Sequence, residues 1–179
     1  MFDTFIESTI LMFVAIDPIS LVPIFAGLTT GLNNDQIRSI YIRASVVSLV
    51  VLSSFWLFGT AILEVMNISM DSFRIIGGLF LIVIAFQMVF EQRQERRQNT
   101  ADTAVDDETI KSIAIFPLAI PLIAGPGAMA TSLLLSKEEY LSVADAVVSY
   151  LPIFTVLIFA TLAMWLSSKL ASKLGPTII

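Results

Sequence analysis

The chain has no cysteine and no histidine. That excludes disulfides, thiolate or imidazole metal sites and histidine acid–base catalysis, and it leaves the redox compartment unwritten. Charge is nearly as scarce, at 14% of 179 residues, where soluble domains carry about a quarter. The net charge of −5 offers no basic face for nucleic acid. The N-terminus lacks the cationic segment and small-residue cleavage site of a signal peptide, so its apolar run is expected to be retained as a membrane span.

What fills the chain instead is apolar: 56% of residues are hydrophobic and the mean hydropathy is +0.88, the composition of a membrane protein. Five apolar segments of spanning length appear, near 5–28, 40–63, 73–90, 113–135 and 147–166, each within the roughly 17–25 residues that cross a hydrocarbon core. The links after the first two are short and carry turn and cap residues such as Gly31, Asn33, Asn34 and Asp35. The third, 91–111, is polar throughout and divides the chain into halves, 1–90 and 112–179. Its charges read first as a solvated loop. If the N-terminus lies outside, Arg38, Arg43, Arg93, Arg96, Arg97, Lys111, Lys169 and Lys173 fall inside and only Arg74 and Lys137 outside. That bias places the 91–111 loop in the cytoplasm. Trp56 and Trp165 then sit toward opposite faces, where interfacial belts hold indoles.

Within the first segment, Asp17-Pro18 interrupts the run ILMFVAIDPISLVPIFAGLTT. A carboxylate well inside a span costs at least ~2.5 kcal/mol and normally faces a bundle interior or wet cavity. Proline removes a backbone donor and clashes with the preceding turn, so a broken helix is expected beside the acid. Asp17 reads either as an ion or substrate site or as a hydrogen-bond partner between packed helices.

The fourth segment, IFPLAIPLIAGPGAMATSLLL, holds Pro117, Pro121, Pro126, Gly125 and Gly127 and cannot form one regular helix. Irregular backbone at membrane depth survives only where protein or a water-filled cavity satisfies it. A half-helix starting near Gly127 would aim N–H groups and a positive dipole end at an anionic group, on a ligand or on Asp17; a structural kink is the other reading. An offset of 108 positions lays Asp17-Pro18-Ile19-Ser20 on Gly125-Pro126-Gly127-Ala128 and the second segment on the fifth. Three spans separate the copies, so the halves enter the membrane in opposite senses, as in inverted-repeat transporters. The expected fold is an all-α polytopic membrane helix bundle with five spans of a six-span, 3+3 inverted repeat. The same offset predicts that a sixth span belongs after residue 177.

Gly77 and Gly78 in the third segment read as helix-packing residues rather than ligand contacts. Gln87, Ser20, Ser53, Ser54, Thr131 and Ser132 are candidates for hydrogen bonds between helices. No nucleophile–base pair, phosphate loop or metal cluster appears, so enzymatic activity, a metal and a cofactor are not expected.

Three stretches, AIDPISLVPIFAGLT at 15–29, FRIIGGLFLIVIAFQM at 73–88 and IFPLAIPLIAGPGAMAT at 115–131, are similar to the MarC family of bacterial integral membrane proteins. The resemblance implies a six-span inner-membrane protein of the lysine-exporter-like transporter group. Two departures are the serine at Ser20, where such proteins usually have glycine, and the missing final span.

Taken together, these features predict an exporter or other secondary transporter of a small polar solute in the bacterial inner membrane. Alternating access would occur about Asp17, Pro18, Ser20, Gly125, Pro126, Gly127 and Thr131. The expected partners are the lipid bilayer, a small-molecule or ion substrate and, as an option, further copies in a homo-oligomer. The alternative is a non-transporting membrane scaffold or assembly protein in which the same motifs only pack the bundle.

Overall fold

A computed structural model describes residues 2–69, 71–73, 75, 76, 79, 82, 83, 86, 113–136 and 142–174. Every segment of it longer than a turn is helical, and no strand occurs among the described residues. The chain is a polytopic helical membrane protein. Gly77, Gly78, Gln87 and the 91–111 connector lie outside the described residues.

The first span is built from two helices, α1 (Phe2–Ile16) and α2 (Pro18–Leu28). They separate at Asp17, which takes left-handed backbone angles (φ 55°, ψ 66°). The residue before a proline is pushed out of the helical region, and aspartate is among the few non-glycine residues that tolerate this one. The break does not spoil the span: Asp3–Leu28 remains one apolar stretch of 26 residues, about 39 Å at 1.5 Å per residue. Thr29 and Thr30 close its end by donating to Phe25 O (2.7 Å) and Ala26 O (3.0 Å), and Gly31 (φ 81°) makes the turn.

α3 (Asn34–Val65) is 32 residues long and starts well before the apolar run at 40. The reason is a capping box, in which Asn33 Oδ1 accepts from Gln36 N at 2.9 Å and Gln36 Oε1 accepts from Asn33 N at 3.0 Å. Such reciprocal bonds satisfy donors that a helix start otherwise leaves open, so the helix continues into the interface. At the far end Asn67 (φ 56°) reverses the chain, and Ile68 N returns to Leu63 O at 2.9 Å. Ser69 opens the next helical stretch, with Ser72 N bonded to its hydroxyl at 3.2 Å.

The second half contains the proline-rich segment Ala114–Ile123, then α4 (Pro126–Leu135), then α5 (Val143–Leu174), again 32 residues long. α5 is capped by Ser142, whose hydroxyl accepts from Asp145 N (3.2 Å) and donates to Asp145 Oδ2 (3.0 Å).

α3 and α5 cross antiparallel along a polar seam. Ser45 Oγ meets Thr161 Oγ1 at 2.7 Å, Ser53 Oγ meets the Tyr150 hydroxyl at 2.8 Å, and Trp56 Nε1 donates to Ser149 Oγ at 2.9 Å. Trp56 also lies edge-on to Tyr150, with ring centroids 5.1 Å apart. It is therefore a strut between helices, whereas composition alone placed it in an interfacial belt. Trp165 is partly exposed, with Lys169 Nζ 4.0 Å over its ring. The shorter helices pack on this cross. α1 and α2 lie against α5, through the Phe13–Phe159 ring contact and a bond from Ser167 Oγ to Val22 O at 2.6 Å. The Ala114–Ile123 segment and α4 lie against α3, where Ser132 Oγ donates to Leu52 O at 2.6 Å. α1 also touches α4.

Met12, Ile16, Leu21, Phe25, Leu52 and Ile153 fill the interior, while Ile10, Val50, Leu57, Phe58, Phe159 and Leu162 face outward. Apolar side chains on the outside are what lipid requires. Because lipid is as apolar as the core, helix association relies on close packing and on hydrogen bonds worth about 0.6 kcal/mol each. Gly59 marks the tightest packing: a Cβ there would lie 2.5 Å from Leu133 Cγ. Gly59→Ala should therefore cost about 1–3 kcal/mol, read as a loss of stability in detergent unfolding, and Leu133→Ala in the same chain should recover part of it. Additive losses in the double variant would disprove this contact.

Candidate functional site

Both interrupted helices restart on a proline. In α2 the cap is Asp17, 5% exposed, whose Oδ1 accepts from Ser20 N at 3.3 Å. Pro18 occupies the first helical position, where its missing N–H costs nothing and its fixed φ suits the helix. Asp17 N closes the last turn of α1 on Phe13 O at 2.8 Å. The carboxylate thus sits at the positive end of α2, a placement favourable for its charge. The bond from Ser20 goes through its backbone, so the cap does not depend on which side chain stands at this position.

The second break is wider. Phe116 and Ile120 are extended (φ −131° and −128°), as residues before Pro117 and Pro121 should be. Both of these X-Pro bonds are cis. Ala124 N bonds to Ala119 O at 2.8 Å and ends the segment. Gly125, in extended backbone (φ −76°, ψ 169°), then caps α4, and Pro126 takes the first helical position. The two pieces bend by 59°. Gly125 is required for space rather than for its angles: a Cβ would stand 2.6 Å from Pro121 O, and backbone does not yield as a side chain does. Lacking a side chain, it makes no cap bond to α4.

The predicted residues are therefore distributed over two breaks. Asp17, Pro18, Gly125, Gly127 and Thr131 are buried, Ser20 is half-buried, and Pro126 is exposed. Of the predicted interhelical donors, Ser53 and Ser132 serve as expected, whereas Ser54 bonds within its own helix to Val50 O at 2.8 Å. Thr131 Oγ1 is buried without a partner, and so is the Ser48 hydroxyl of α3. Sequence reasoning missed Ser48. Its signal is positional: Ser48, Leu52 and Gly59 share the i, i+4, i+11 stripe of α3 that meets α4. No group of three or more His, Cys, Asp or Glu side chains that could hold a metal occurs among the described residues.

The sequence pattern of the MarC family integral membrane proteins matches residues 2–179. The chain belongs to the MarC family. Among MarC relatives, a UPF0056 membrane protein of Methanocaldococcus jannaschii is 39% identical over 134 residues, covering 75% of this chain and 58% of that protein. The UPF0056 membrane protein YvbG of Bacillus subtilis is 29% identical over 177 residues, covering 99% of this chain and 83% of its own length. One from Pyrococcus abyssi is 30% identical over 164 residues, 92% of this chain and 77% of that one. The chain thus spans less than two thirds of the M. jannaschii relative. Archaeal members stand beside bacterial ones, so family membership does not in itself specify a bacterial membrane. No solved structure matches the chain.

The cap geometry orders the variants at Asp17. Asp17→Asn keeps an accepting oxygen and tolerates left-handed backbone, so it should unfold within about 1 kcal/mol of the parent. Asp17→Ala loses the cap and strains the backbone, and should cost about 2 kcal/mol. Equal losses for both in detergent unfolding would show that the cap contributes nothing.

Proposed function

We propose that this MarC chain is part of a secondary transporter that moves a small polar solute by alternating access around the two helix breaks, without enzymatic chemistry. The observation that carries the reading is the pairing of the breaks. α2 and α4 start on prolines 108 positions apart, one behind a buried carboxylate and the other behind a glycine that leaves its first turn uncapped. Interrupted helices at corresponding places in two halves are how inverted-repeat transporters build a midplane site.

Further features support two related halves, 1–90 and 112–179. α3 and α5 have the same length and start 109 positions apart. The first half packs α1 and α2 on α5, and the second packs the 114–123 segment and α4 on α3, as two copies related by a pseudo-two-fold would. On this reading the N-terminus is outside, the 91–111 connector is cytoplasmic, and the membrane is the plasma membrane. Asp17 is the proton or cation site. The scaffold alternative draws on one specific observation, that the Asp17 carboxylate already serves as the α2 cap.

The absence of cysteine makes the test direct. With single-cysteine variants in membrane vesicles, alternating access predicts that Ser20→Cys and Thr131→Cys react with a hydrophilic maleimide, while a cysteine at Ile153, packed between helices, does not. Reconstituted Asp17→Asn should fold but lose solute-dependent proton movement. A scaffold gives three unreactive positions.

A further inference from the structure

α3 and α5 run antiparallel, so the start of one and the end of the other reach the same end of the bundle. The last seam bond toward that end joins Ser45 Oγ and Thr161 Oγ1. Beyond it, Arg38 stands seven residues back along α3 and Lys169 eight residues on along α5, about 10 Å and 12 Å at 1.5 Å per residue. The two cations are therefore level, and both are exposed. Each also lies just outside its helix's apolar run, which starts near 40 in α3 and ends near 166 in α5. That is the depth at which lipid headgroups flank the hydrocarbon.

The two cations share one groove. Residues at i, i+3, i+4, i+7 and i+8 form one stripe of a helix. On α3, Arg38 and Ile42 stand seven and three positions before Ser45; on α5, Trp165 and Lys169 stand four and eight after Thr161. Both sets border the line along which the helices meet. α2 closes one side of that line, through the Phe25–Tyr41 ring contact, with centroids 6.4 Å apart, and the bond from Ser167 Oγ to Val22 O. At about 100° per residue, Ile42 falls on the opposite flank of the line from Tyr41, and Trp165 lies about 200° from Ser167. This second side is open: Ile42, Val46, Leu162 and Trp165 are 39% to 53% exposed.

Two cations at the mouth of an apolar groove match an amphiphile with an anionic head. Arginine offers a planar fork that takes phosphate through parallel N–H bonds, and lysine a compact point charge. Lys169 Nζ lies 4.0 Å over the Trp165 ring, which holds the ammonium at the groove wall. Asp35, the acid nearest Arg38 in sequence, sits in the first turn of α3, where the positive end of the helix favours its charge. A zwitterionic lipid brings its own ammonium to the same place, so the groove discriminates by charge. We propose that it seats an anionic phospholipid, with the phosphate between Arg38 and Lys169 and an acyl chain along Ile42, Val46, Leu162 and Trp165. Arg43 is exposed as well, but it is two positions from Ser45 and on the far face of α3, outside the groove. The seat stands whether or not the chain transports a solute.

Trp165 is itself the probe. The chain has two tryptophans, so Trp56→Phe leaves Trp165 as the sole indole, and bromine on a lipid acyl chain quenches an indole that it touches. The whole chain is reconstituted in mixed vesicles of phosphatidylcholine and phosphatidylglycerol, with one or the other lipid brominated. Phosphatidylglycerol should occupy the place beside Trp165 with about 25-fold preference, about fivefold for each of the two cations. Arg38→Gln and Lys169→Gln should each lower the preference about fivefold, and the double variant should bring it near unity. Arg43→Gln should leave it unchanged. No preference in the single-indole protein overturns the seat. So does a loss in Arg43→Gln as large as in Arg38→Gln, which would assign the preference to diffuse surface charge. The same comparison in the chain with both tryptophans keeps the test decisive if Trp56→Phe fails to fold.

Discussion

At the depth of a lipid bilayer there is no water to receive a broken hydrogen bond, so every interruption of a helix must be closed by the protein itself. This chain interrupts two spans, and the fold is arranged around closing them. Asp17 closes one with a carboxylate placed at the start of α2. The other is shut at its upstream end, where Ala124 N finds Ala119 O, and left open at its downstream end, behind Gly125. Steric necessity and chemistry coincide at that glycine. Pro121 O stands too close for any side chain, and the missing side chain is what leaves α4 without a cap.

Such local irregularity needs a rigid frame. The crossing of α3 and α5 provides it, pinned by the Ser45–Thr161, Ser53–Tyr150 and Trp56–Ser149 bonds. Each is individually weak by the standards of membrane helices, and together they fix the register of two 32-residue elements. The half-helices are too short to span alone. They are positioned by hydroxyl-to-carbonyl bonds onto that frame, Ser167 to Val22 O for α2, and Ser132 to Leu52 O and Ser149 to Leu135 O for α4. The frame therefore sets where the two helix starts stand relative to each other.

Much of this was legible in the amino-acid sequence because the decisive residues have few other uses. A proline behind an aspartate in an apolar run has one economical explanation, and three prolines with two glycines around 117–127 exclude a regular helix. The extents of the helices were less legible. α3 starts at Asn34 rather than near 40 because a capping box, not hydropathy, decides where it begins. The role of Trp56 was hidden as well, since an indole is amphipathic and composition cannot separate an interfacial anchor from a hydrogen-bonded strut. Ser48 showed only its place on a stripe with Leu52 and Gly59: a serine in a helix usually bonds backwards to its own chain, and only the structure reveals that this one does not. The resemblance to MarC proteins, by contrast, was carried by whole motifs and holds across residues 2–179.

The central claim is that the buried start of α4 faces a polar hollow rather than packed hydrocarbon. Amide hydrogen exchange at Gly127 and Ala128, measured by solid-state NMR on the labelled protein in lipid bilayers, tests it most directly. The account predicts that these two amides exchange with bulk water far faster than those of Leu133 and Leu134 in the same helix, in spite of the burial of Gly127 and Ala128. Protection equal to that of the later turns would contradict it.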